Sequence, residues 1–167
     1  MAAQTGRTVS KWVRFITDDS AGTLREIPIN SLSVVGIVYA EQDVTAFQDA
    51  VMGQLPNMPD APIEVSGPWD NSAAAAISAS GAAPVLSGSH TVLNPINGLS
   101  VPLSLGVDFG VRHYWETGEP TFIMSSSATS GYLLTKYTVD ASGMIYTARY
   151  VLYPGSALPV WSTAQVV

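Results

Sequence analysis

The chain has 167 residues, 47% of them apolar and only 12% charged, with a formal net charge of −6; this suits one ordinary domain whose surface carries about half the usual share of charge. It has no cysteine, which excludes disulfides, thiolate catalysis and Cys-ligated zinc, and no apolar run approaches the roughly 20 residues that a membrane-spanning helix needs. No Lys or Arg stands between Arg25 and Arg112, where Glu26, Glu41, Asp43, Asp49, Asp60, Glu64, Asp70 and Asp108 all fall, so the middle of the chain lacks the cations that tight nucleic-acid binding requires.

The N-terminal stretch up to Phe15 has no apolar core behind its basic residues, which predicts a soluble, unexported chain. Lys11–Thr17 and Thr23–Ile29 flank Asp18-Asp19-Ser20-Ala21-Gly22 and predict a first hairpin. Strands are expected at Leu32–Ala40 and Ile63–Trp69. Between them, Thr45–Leu55 has helical spacing at Phe47, Val51 and Leu55 but is interrupted by Gly53, so a short helix or a structured loop fits equally well. The Ala-rich stretch Ser72–Ser80 follows Asp70-Asn71-Ser72, a candidate N-cap, and stops at Gly81, which predicts the one short helix. Gly81–Gly98 holds two prolines and three glycines and predicts a loop.

The clearest period-two signal follows, with Val101, Leu103, Leu105, Val107, Phe109 and Val111 alternating with polar or small residues. Thr121–Ser127 predicts a further strand, and Tyr132–Val139 with Met144–Tyr153 predicts a hairpin about Asp140-Ala141-Ser142-Gly143, Gly143 taking the positive φ. The tail Leu158-Pro159-Val160-Trp161 either completes the core or docks on a neighbouring subunit. This succession of short strands and turns predicts a mainly β fold, an antiparallel β-sandwich or barrel over 1–167 as a single domain with one short flanking helix.

The residues carry no positive sign of an enzyme. Asp108-Phe109-Gly110 matches the magnesium-holding tripeptide of kinases but sits inside an alternating strand with none of the accompanying signatures. His90 and His113 have no second ligand at metal spacing, and Asp18-Asp19-Ser20 reads as a turn with side-chain-to-backbone hydrogen bonds rather than a calcium loop. Neither a serine elbow nor a phosphate-cradling glycine loop is present. No catalytic residue, metal or cofactor is therefore expected. Glu116 and Glu119 beside Tyr114 and Trp115 leave a carbohydrate-binding module open as an alternative, with Trp115, Tyr114 and Trp69 as its stacking rings.

Asp43-Val44-Thr45-Ala46-Phe47-Gln48-Asp49, then Leu55-Pro56, then Ala61-Pro62-Ile63-Glu64-Val65-Ser66-Gly67-Pro68-Trp69-Asp70, resembles a recurring pattern in the tail tube proteins of tailed phages. The downstream layout of loop or short helix, long strand and terminal hairpin is similar too. The resemblance implies a β-sandwich of tail-tube type whose copies form rings, commonly hexameric, stacked around a passage. It also implies a virion structural protein, made in the bacterial host cytoplasm, whose partners are itself and other tail or capsid proteins. DNA then meets it only in non-specific passage, and no membrane is involved. A capsid decoration protein of the same fold is the alternative. On this basis Glu41, Asp43, Asp49, Asp60, Glu64 and Asp70 are expected to include lumen-facing acids, and Trp69, Trp115 and Trp161 to serve at interfaces. One departure from the family is that no long projecting arm, of the kind that locks successive rings, is identifiable in the sequence.

Overall fold

The computed structural model describes residues 2–46, 48 and 50–167. Strands β1 (Val13–Asp18), β2 (Leu24–Ile27), β7 (Leu105–Phe109), β8 (Thr121–Met124) and β11 (Val160–Ser162) form a five-stranded antiparallel sheet in the order β11-β8-β7-β1-β2. A second antiparallel sheet has the order β3-β6-β10-β9, from Ser31–Leu32, Ile63–Pro68, Ile145–Leu152 and Tyr132–Asp140. Strands β4 (Val38–Asp43) and β5 (Gln54–Asp60) make a separate two-stranded ribbon. The fold is thus mainly antiparallel β, with one α-helix, α1 (Ser89–Ile96), among the described residues.

The two larger sheets close on one core because their alternating residues supply it from both sides. Phe15, Ile27, Leu105, Val107 and Phe122 from the first sheet meet Ile63, Val65, Leu134, Tyr146 and Tyr150 from the second. Burying a tyrosine requires a partner for its hydroxyl. Tyr132 donates to the Ala61 carbonyl at 3.0 Å, Tyr146 to the Pro28 carbonyl at 2.7 Å and Tyr150 to the Thr17 hydroxyl at 3.3 Å. The last two bonds cross between the layers and fix their register.

The helix lies in a different place from the one expected. Ser72–Ser80 forms no helix, and α1 forms within the stretch read as a loop. Alanines alone bury too little to hold a short helix in water, whereas Val92, Leu93 and Ile96 give 89–96 a compact apolar face that is fully buried. Pro95 stands at the penultimate helical position, where it forfeits a single backbone bond. The 72–80 backbone is captured instead by side chains: Arg25 donates to the Ala75 carbonyl, and the Ser87 hydroxyl accepts from the Ala75 amide.

Two turns were read from their residues with different results. Asp19 accepts from the amides of Ala21 and Thr23 at 2.9 and 3.0 Å, the expected side-chain-closed turn. In the β9–β10 turn the positive φ falls on Met144 rather than Gly143, while Asp140 closes the turn by accepting from the Ser142 amide and hydroxyl.

Candidate assembly interface

The β4–β5 ribbon is a projecting arm, the element that could not be identified in the sequence. Its strands pair only with each other, and every residue of both is exposed. Met58 is 81% exposed, and Val51 and Met52 in the connecting loop are 78% and 73% exposed; Val38, Tyr39 and Leu55 are exposed as well. A two-stranded ribbon that buries neither face is marginal on its own. Apolar side chains concentrated on such an element mark a surface meant to be covered.

The sequence concealed this arm for physical reasons. Pro56 and Pro59 interrupt β5, and proline ordinarily demotes a strand. In a ribbon of two strands, each strand keeps one open edge, so a residue whose N–H faces outward loses nothing by being proline. The described part of the 44–53 connection is a loop rather than a helix. The Val44 amide donates to the Gly53 carbonyl and the Gly53 amide to the Thr45 hydroxyl, both at 2.9 Å.

The six acids expected in a lumen divide between arm and body. Glu41, Asp43 and Asp60 belong to the arm, Glu41 and Asp43 projecting from one face of β4. Asp49 lies outside the described residues. Glu64 is on β6, in register with Arg149 of β10, and Asp70 follows β6. Asp43 and Asp70 also act as turn formers. Asp43 accepts from the Thr45 hydroxyl and amide, and Asp70 from the Ser72 hydroxyl and amide, and these bonds hold both carboxyls below the usual range.

The three tryptophans differ in accessibility. Trp161, on the edge strand β11, is 55% exposed while its ring packs on Phe109 and Phe122; the tail therefore completes the sheet and still presents a face outward. Trp69 is half-buried and packs against His90 with the rings tilted at 43°, and His90 Nδ1 lies 2.9 Å from the Tyr137 hydroxyl. Trp115 corrects the interface expectation: it is 2% exposed, donates its indole N–H to the Glu119 carbonyl, and lies beneath the Arg14 guanidinium at 4.9 Å. It has no face to offer a partner or a sugar. Glu119 is also fully buried, accepting from the amides of Gln4 and Glu116 and lying 2.9 Å from His113 Nε2. It braces the 110–119 loop and is no half of an open carboxylate pair.

One constellation was not read from the sequence. Arg14 Nε lies 2.6 Å from Asp108 Oδ2, its register partner on β7, and Arg14 Nη1 lies 3.7 Å from Glu26 Oε2 on β2. Asp108 and Glu26 are essentially inaccessible. Burial raises the Asp108 carboxyl to about 6 against the pull of Arg14, with Glu26 adding to the rise, and burial also raises Glu26. Alternation assigns these residues to the face of the sheet away from the core, which in sequence reads as solvent. The 71–88 segment and Trp115 cover that face and seal the charges beneath them.

No family model matches the chain, and no curated protein matches it. Among solved structures, the tube-terminating cap of the anti-feeding prophage is similar with a TM-score of 0.51 at 14% identity, over 98% of this chain and 97% of that one. A sheath/tube terminator from an extracellular contractile injection system, PVC, in the extended state gives 0.49 at 15% identity, over 96% and 99%. The sheath–tube complex of such a system gives 0.46 at 13% identity, over 90% and 89%. The likeness to the cap defines the class: the chain has a phage-tail-like, tube-related fold, spanning nearly its whole length.

Proposed function

We propose that the chain is a non-catalytic structural subunit of the tube of a tailed-phage-like particle, made in the bacterial host and working in the particle, where it assembles with copies of itself and with other tail proteins. The observation that carries this reading is the arm, an element with exposed apolar side chains and no core of its own. An arm on one side of a sandwich and its receiving surface on another make a head-to-tail contact, and such contacts generate rings when the rotation closes. The arm has acids and no base along 38–60, which supports placing Glu41, Asp43 and Asp60 toward a passage that anionic cargo crosses without sticking. Trp161 supplies a second contact at the open edge of β11.

A tube-ending position is the second reading, favoured by the full-length likeness to a tube-terminating cap. Negative-stain images of the purified protein at high concentration separate the two: stacked rods support a repeating tube subunit, and single rings that never stack support a terminator. A protein that stays monomeric alone and joins no particle sinks both. The arm itself is tested with Leu55→Asp combined with Met58→Asp. Both positions are exposed, so the melting temperature stays within about 2 °C of the parent while rings and rods disappear.

A further inference from the structure

Residues 71–88 run across the outer face of the β7-β1-β2 sheet as a strap, and the buried ionic cluster is what ties it down. Arg14 Nη1 donates to the Ser78 carbonyl at 3.3 Å, and Glu26 accepts from the Ser78 hydroxyl and amide. The Ser87 amide donates to the Glu26 carbonyl at 2.8 Å, and the Val85 amide to the Ser78 hydroxyl at 2.6 Å. Beside the strap lies a half-open cavity of about 170 Å³, walled by the strap's Ala82, Pro84 and Leu86 and by Trp12, Tyr114 and Trp115 of the body, with Tyr114 and Leu86 each 43% exposed. Opening the strap would expose more of this aromatic surface.

The charges in this cluster do not balance. Two carboxylates, Asp108 from β7 and Glu26 from β2, face one guanidinium, Arg14 from β1, in a space from which water is largely excluded. Like charges buried together repel strongly because the surrounding dielectric is low. Among the described residues, the other elements packed here add no second cation to the cluster: β8 sets Thr121 opposite Asp108, and the 110–119 loop contributes the Trp115 ring and Glu116, which lies close to Gly81 of the strap. Lys11 stands at the cavity wall with its ammonium over the Trp12 ring, 4.7 Å from the centroid. At the other end of the strap, Arg25 holds Ala75 and pairs with Asp19 at 2.7 Å. Burial raises the Asp19 carboxyl, but bonds from Thr23, Arg25 and Ala21 outweigh it and leave the group below its usual range, so this tether keeps its charge at neutral pH.

We propose that the Arg14–Glu26–Asp108 cluster is a proton-operated latch: carrying one proton it holds the 71–88 strap against the sheet, and with both carboxylates ionised it slackens the strap and widens the half-open aromatic cavity beside it. The direction follows from linkage. A carboxyl raised by folding contributes stability that is fully present below its ordinary range and is lost as pH rises through the raised value, here about 6 for Asp108. The strap is therefore tighter at mildly acid pH than at mildly alkaline pH. This inference concerns one chain alone and does not depend on ring or tube formation.

The test is amide hydrogen exchange of the full chain at low concentration, with rates divided by the intrinsic rate at each pH. Protection of 72–87 should be about tenfold lower at about pH 8 than at about pH 5, while the β6 and β10 amides keep their protection. Acrylamide quenching of tryptophan should rise over the same interval. Asp108→Asn imitates the protonated cluster and should hold the strap equally at both pH values. Glu26→Gln also removes the excess charge and gives the same reading should the first variant fail to fold. Equal strap protection in the parent chain at both pH values overturns the latch, as does a pH dependence that survives in the folded variants.

Discussion

At Gly67 the two layers approach so closely that a β-carbon would sit 2.4 Å from the Pro28 carbonyl oxygen and 3.0 Å from the Tyr146 ring. The contact is with backbone, which cannot swing aside as a side chain can. Gly67→Ala should therefore destabilise the chain by about 1–3 kcal/mol, as overpacking does, read as a lowered denaturation midpoint with an unchanged slope. The opposite finding, a neutral substitution, would mean that the 28–29 segment yields. Some residue roles of this kind were legible in the sequence. Asp19 announces its turn because a short acceptor next to small residues closes a turn by local bonds. Arg14, Glu26 and Asp108 did not announce theirs, since their partnership spans 94 positions between Arg14 and Asp108 and depends on a strap that covers a face alternation assigns to solvent.

Among the elements, the arm is separable from the body. Val38 and Asp60 are register partners at its root, and nothing in β4 or β5 is buried. Replacing 38–60 with a two-residue turn should leave a folded body whose melting temperature moves by no more than about 3 °C, and on the proposed tube reading it should abolish self-assembly. Cooperative unfolding at a much lower temperature would show that the arm supports the body after all. The strands that build the core were readable because their alternation is enforced by burial on one side. The arm has no buried side to enforce a pattern, and α1 gathers its apolar residues into a cluster too brief to outweigh its proline and glycine neighbours.

For the molecule as a whole, the proposed tube reading couples charge to assembly. Each copy carries −6, and the acids on the arm would be brought near one another around a shared passage. Salt screens such repulsion, the Debye length falling from roughly 10 Å at 0.1 M to roughly 3 Å at 1 M. Oligomer fraction, followed by sedimentation, should rise with added salt for the parent chain. A variant carrying Glu41→Gln, Asp43→Asn and Asp60→Asn should assemble well at low salt and respond weakly to more. A variant as salt-dependent as its parent would place those acids apart in the assembly.

The amino-acid sequence by itself determined the mainly β class, most of the core strands and the absence of thiol chemistry, because these follow from composition and from a period of two that burial imposes residue by residue. Only the tertiary structure decided where the helix forms, that β4 and β5 stand out as an arm, that Trp115 is enclosed while Trp161 is not, and that three charges share one dry space. Each of these depends on which surfaces cover which, and covering is a relation between distant segments that no local pattern encodes.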